Sequence, residues 1–66
     1  MNVVVNGETR AIGAAASIDE VVRVLGLEGK RIAIERNGEI VPKSRYAQTR
    51  LAPEDRLEIV AAVGGG

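Results

Sequence analysis

The sequence predicts an α+β fold in which one helix packs across one face of a mixed sheet of four to five strands. Three observations carry that expectation. Two Asn-Gly pairs, Asn6-Gly7 and Asn37-Gly38, each lie between strand-forming segments and mark β-hairpins. A single segment opening at Ser17 has the apolar spacing of a helix. A last alternating stretch, residues 57–63, runs straight into Gly64-Gly65-Gly66. One helix with one apolar stripe needs one sheet face to cover it. The order strand, strand, helix, strand, strand, strand is met most economically when the last strand is central, beside the first and parallel to it.

In the first hairpin, Val3-Val4-Val5 is β-branched and returns through Thr9, Arg10, Ala11 and Ile12. A two-residue turn would place Glu8 and Arg10 on the face of Val5 and Val3. A bulged turn would bring Thr9 and Ala11 there instead, and the sequence leaves both registers open.

Ser17-Ile18-Asp19-Glu20 forms a capping box, in which the Ser17 hydroxyl and the Glu20 carboxylate each satisfy an amide otherwise orphaned at a helix start. Asp19 and Glu20 also suit the positive end of the helix dipole. Ile18, Val21, Val22 and Leu25 follow at i, i+3, i+4 and i+7, giving one apolar stripe. Gly26 supplies a left-handed stop, with Leu27 placed to fold back on the last turn.

Ile32 and Ile34 alternate with Ala33 and Glu35 before the second Asn-Gly turn, and the chain returns through Glu39, Ile40 and Val41. A two-residue turn sets Arg36 opposite Glu39 and Ile34 opposite Val41, a self-consistent register. Pro42 ends the strand because it cannot donate to a ladder. Residues 43–50 read as a loop or single turn whose Tyr46 ring covers one end of the core. Residues 51–55, with Pro53 among them, form another turn. In the last strand Leu57, Ile59 and Ala61 are expected to face the core, leaving Glu58, Val60 and Ala62 outside.

Composition excludes several functions. The chain has 66 residues, 45% of them hydrophobic, so it is one small domain close to the size at which a single core is marginal. Nine basic and nine acidic residues cancel and are scattered, and Tyr46 is the only aromatic residue. Neither a nucleic-acid groove nor an anionic membrane is matched by that pattern. With no Cys and no His, the chain lacks a thiol nucleophile, an imidazole base and the usual zinc ligands, so no metal site is expected. The amino terminus lacks a basic n-region, and no apolar run approaches the ~20 residues of a membrane span, which points to the cytoplasm. Asp19-Glu20 and Glu54-Asp55 suit a helix start and a turn rather than a catalytic dyad. Lys30, Lys43 and the arginines read as solvated surface.

The end of the chain is different. We expect residues 1–63 to form the domain and residues 64–66 a flexible tail, since glycines have no side chains to pack and lose the most entropy on ordering. Such a tail can pass a narrow channel and deliver the terminal carboxylate to another protein. At neutral pH that group is an anion and a poor electrophile, so any reaction at it needs external activation. A frayed end is the competing interpretation of the tail taken alone.

Residues 34–42, Ile-Glu-Arg-Asn-Gly-Glu-Ile-Val-Pro, the entry into the last strand and the Val63-Gly64-Gly65-Gly66 ending together resemble the sulfur carrier proteins of thiamine biosynthesis, the ThiS family. The resemblance spans nearly the whole chain. It departs from the family pattern at Glu54, where glycine is usual, and near Tyr46, where Trp is common. It implies the β-grasp, or ubiquitin-like, fold. It also implies a carrier that is not itself an enzyme and binds no cofactor of its own. A ubiquitin-activating-type adenylyltransferase (ThiF-like) would use ATP and Mg to adenylate the Gly66 carboxylate. A sulfur donor, ultimately a cysteine desulfurase, would convert it to a thiocarboxylate, and thiazole synthase (ThiG-like) would take the sulfur. Gly64 and Gly65 would give the tail its slim passage. Transfer of sulfur to molybdopterin or to tRNA, attachment to target lysines as a modifier, and an inert interaction module are the alternative functions. The outward apolar positions Val60 and Ala62, with Val4 and Ala33, are the expected docking patch for the activating enzyme, although β-branched residues favour strands whether or not anything binds there.

Overall fold

A computed structural model of the protein describes residues 1–61. Each predicted element is present: β1 (Asn2–Val5), β2 (Glu8–Ala11), α1 (Ile18–Val24), β3 (Ile32–Arg36), β4 (Glu39–Val41) and β5 (Arg56–Ala61), with a short 3₁₀ turn at Lys43–Arg45. The five strands form one mixed sheet in the order β2-β1-β5-β3-β4. β5 is central, parallel to β1 and antiparallel to β3, as the economy of the sequence requires. This is the β-grasp arrangement.

The first hairpin adopts the two-residue register: Val5 is opposite Glu8, and Val3 opposite Arg10. Asn6 at φ 50° and Gly7 at φ 82° form the turn, both in the left-handed region that such a turn demands. The price is that β2 has no buried residue. As an edge strand it is charged, which blunts its unpaired backbone.

The helix is capped much as expected. Ser17 accepts a hydrogen bond from the Glu20 amide at 3.2 Å. Two further amides of the first turn are satisfied from outside the helix: those of Ile18 and Asp19 donate to the carbonyls of Thr49 and Tyr46, while Glu20 is exposed. The loop packed against the helix start thus supplies acceptors that local sequence cannot reveal. At the other end Gly26 has φ 71°, and the amides of Leu27 and Gly26 donate to the carbonyls of Val22 and Arg23, a complete Schellman motif.

Ile18, Val21 and Val22 of the helix pack on Val3 and Val5 of β1, Ile34 of β3, and Leu57 and Ile59 of β5. Leu51 and Tyr46 close one end of this core, and burial pushes the Tyr46 phenol above its usual pKa. Ala61 departs from expectation. It continues the core-facing series of Leu57 and Ile59 but is exposed, because α1 stops at Val24 and does not reach that end of the sheet. Ala61 instead lines an open groove of about 390 Å³ with Leu25, Leu27, Ile32 and Ile59.

The turn before β5 is closed by the Asp55 amide, which donates to the Ala52 carbonyl at 3.2 Å. Glu54 has φ 69° there, the conformation for which glycine is the natural choice. Among the described residues no helix is long and apolar enough to cross a membrane.

Candidate functional site

β5 runs through the middle of the sheet toward the carboxyl terminus, and its position is held from both sides. β1 turns away after Val5, so Ile59 has no further β1 residue to pair with. The Asn6 side chain takes that role, with Nδ2 donating to the Ile59 carbonyl at 3.0 Å and Oδ1 accepting from the Ile59 amide at 2.7 Å. On the other flank Asn37 Oδ1 accepts from the Arg56 amide at 3.0 Å, and the Asn37 amide donates to the Arg56 carbonyl. Each Asn-Gly turn therefore supplies an asparagine clasp on β5. The dipeptide marked the turns in the sequence, but a clasp across more than fifty residues, as for Asn6, left no local signal.

The start of β5 is anchored by Asp55, a nearly buried acid. Its carboxylate accepts from the Ala52 amide, from Asn37 Nδ2 and from the Arg36 guanidinium, whose Nη2 lies 2.8 Å from Oδ2. Burial works against the charged form. The hydrogen bonds from Ala52, Asn37 and Arg36, with the charge of Arg36, outweigh it and hold the Asp55 carboxyl below its usual pKa. This acid joins the β3–β4 hairpin to the β5 entry and is structural.

The face turned away from the helix carries the proposed docking residues. Val60 and Ala33 are direct cross-strand partners and both exposed. Val4 is half-buried and sits beside Arg56, at the opposite end of β5. Four residues of strand, about 13 Å at ~3.3 Å per residue, separate it from Val60. The expected patch is therefore divided, with Glu58 between its two ends. Ile40 on β4, 71% exposed, belongs to the same face. The sequence held the clue to it, since Ile40 must point outward once Ile34 faces Val41. Ala62 and the expected reactive and threading residues Gly66, Gly64 and Gly65 lie outside the described residues.

Comparison with known proteins places this geometry. The family model described as the ThiS family matches residues 3–66. The chain is 42% identical over 50 residues, 76% of both chains, to the sulfur carrier protein ThiS of Bacillus subtilis (strain 168). It is 47% identical over its full length to a thiazole synthase of Paramagnetospirillum magneticum, but spans only 20% of that protein. A thiazole synthase of Magnetococcus marinus shows the same partial relationship at 30% identity, again over 20% of its length. The crystal structure of a thiamine biosynthesis protein (ThiS) from Geobacter metallireducens superposes with a TM-score of 0.86 at 25% identity, covering all of both chains. With its family match running from β1 to the last glycine and its fold shared with that structure, the chain belongs to the ThiS family.

Proposed function

We propose that this chain is a sulfur carrier for thiamine biosynthesis, holding sulfur as a thiocarboxylate on Gly66 and delivering it for thiazole formation. The observation that carries this reading is the extent of the family match, which includes Gly64, Gly65 and Gly66. The chain is then a protein cosubstrate. Among the described residues no His, Cys, Asp or Glu cluster could hold a metal ion, and no side-chain constellation there could run a reaction alone. The chemistry belongs to the terminal carboxylate and to partner enzymes.

Activation solves the problem of a poor electrophile. In a ubiquitin-activating-type adenylyltransferase, which supplies ATP and Mg, the Gly66 carboxylate oxygen attacks the α-phosphorus and pyrophosphate departs. The carbonyl now bears AMP as leaving group. A persulfide from a donor, ultimately a cysteine desulfurase, attacks that carbon, and the C–S bond forms as the C–O bond to AMP breaks. A thiol then attacks the donor's sulfur, breaking the S–S bond, so that a disulfide forms and the thiocarboxylate is released. The resulting sulfur is a better nucleophile than the oxygen it replaced. The cycle's dependence on ATP suits a cytoplasmic carrier.

Thiazole synthase is the proposed acceptor enzyme. Two proteins of that name contain a region similar to this whole chain, an arrangement that joins carrier and consumer in one polypeptide. The outward sheet face around Val60 and Ala33, with Val4 toward its far end, is the proposed docking surface for the activating enzyme, and Ala62 is the further docking residue expected from strand alternation. Gly64 and Gly65 let the tail enter its active site, and a side chain at Gly65 obstructs it.

Mass spectrometry of the protein isolated from its host tests this function. Exchange of one oxygen for sulfur at Gly66 is the expected result, with loss of thiazole supply on deletion of Gly66. An isopeptide remnant on other proteins, or an unaltered terminus under thiamine starvation, overturns it.

A further inference from the structure

The register of β3 against β5 sets Glu35 directly opposite Glu58 on the outward face. None of the ion pairs among the described residues involves either one. Arg56, two residues before Glu58 on the same face, makes no ion pair with them. Like charges directly opposite destabilise a sheet, so the isolated domain is worse off for this rung.

Two exposed apolar groups border it. The next rung toward the carboxyl terminus is Val60 with Ala33, and on the other side Ile40 is the cross-strand partner of Glu35. Val60 is 58% and Ile40 71% exposed. A surface that covers these apolar side chains must also cover the carboxylates, and an uncompensated buried charge is costly.

We propose that Glu35 and Glu58 determine which protein docks on this face, by receiving a cationic side chain, preferably an arginine, from the activating enzyme. This rests on the reading above that the outward face is the enzyme's docking surface. A guanidinium presents a planar fork of donors able to bridge two carboxylates, and the apolar border strengthens the contact by excluding water. The same pair rejects neutral or acidic surfaces of similar shape, which is specificity through an unpaired charge. A second copy of this chain packed face to face would gather four carboxylates, so self-association through this face is disfavoured.

The test uses the full chain and its host's activating enzyme, with ATP–pyrophosphate exchange as the readout and Glu35→Gln/Glu58→Gln as the variant. Relief of repulsion should leave the free variant at least as stable to heat as the parent. Its KM in exchange should rise about tenfold or more with kcat little changed, and the salt dependence of KM should flatten. An unchanged KM overturns the proposal. If Val60→Asp raises KM while the double variant does not, the rung fails and the docking face survives. If the parent chain supports no exchange, both fall.

Discussion

A single side chain, Asn6, holds both backbone groups of Ile59, across fifty-three residues of sequence. Asparagine and aspartate both tolerate the left-handed turn position, so Asn6→Asp isolates the clasp from the turn. The variant keeps the acceptor for the Ile59 amide but sets a carboxylate oxygen against the Ile59 carbonyl. We expect a loss of about 1–2 kcal/mol at neutral pH, read from urea unfolding midpoints. An unchanged midpoint would show that water replaces the clasp without cost.

Asp55 makes stability depend on acid. Its folded pKa is depressed, so its contribution is complete above the unfolded value of about 3.9 and is lost as pH falls through the lower folded value. The melting temperature should therefore decline on the acid side of about pH 4 more steeply in the parent than in Asp55→Asn. Parallel curves for the two proteins would remove Asp55 from the acid response. Near neutrality the variant should be the less stable, since it removes the partner of Arg36.

Glu54 stands at φ 69° immediately after Pro53. The left-handed conformation costs an ordinary residue roughly 1–2 kcal/mol, against which glycine gives back about 0.5–1 in unfolded-chain entropy. Glu54→Gly should stabilise the domain by up to about 1 kcal/mol, or ~4–8 °C in melting temperature for a chain this small. A lower melting temperature in calorimetry would count against backbone strain at this turn.

Ile34 and Leu57 are among the most completely buried side chains, at 0% and 1% exposure. Truncation of either to alanine should cost about 2–5 kcal/mol. Small domains have little more than that to lose. We expect Leu57→Ala to show weakly dispersed amide resonances and a non-cooperative melt, whereas a sharp two-state transition near the parent's would mean the core repacks.

The contrast between these residues shows where sequence reasoning ends. Asn-Gly pairs, the Ser17 cap, the Gly26 stop and the apolar stripe of α1 are local devices, so the elements and their order could be read directly. The central position of β5 is not written in any local signal; it is an inference from economy, which the strand order matches. The register of the first hairpin remained open, since the sequence is compatible with a two-residue or a bulged turn, and the folded geometry of Asn6 and Gly7 selects the pairing of Val5 with Glu8. Ala61 lies on the side that strand alternation predicts but is exposed, because burial depends on how far the helix extends. The docking patch was grouped by residue type, and the parallel register of β1 with β5 then put Val4 and Val60 at opposite ends.

By itself, then, the sequence determined the list of elements, the core stripe and a family-wide pattern ending in glycines, because each is encoded within a few residues by backbone preference or periodicity. Only the tertiary structure decided that Asn6 and Asn37 clasp β5, that Asp55 anchors its entry, and that Glu35 meets Glu58. Apart from the local bond of Asp55 to the Ala52 amide, those contacts join positions about twenty or more residues apart, and their geometry follows from strand register, which no local preference specifies.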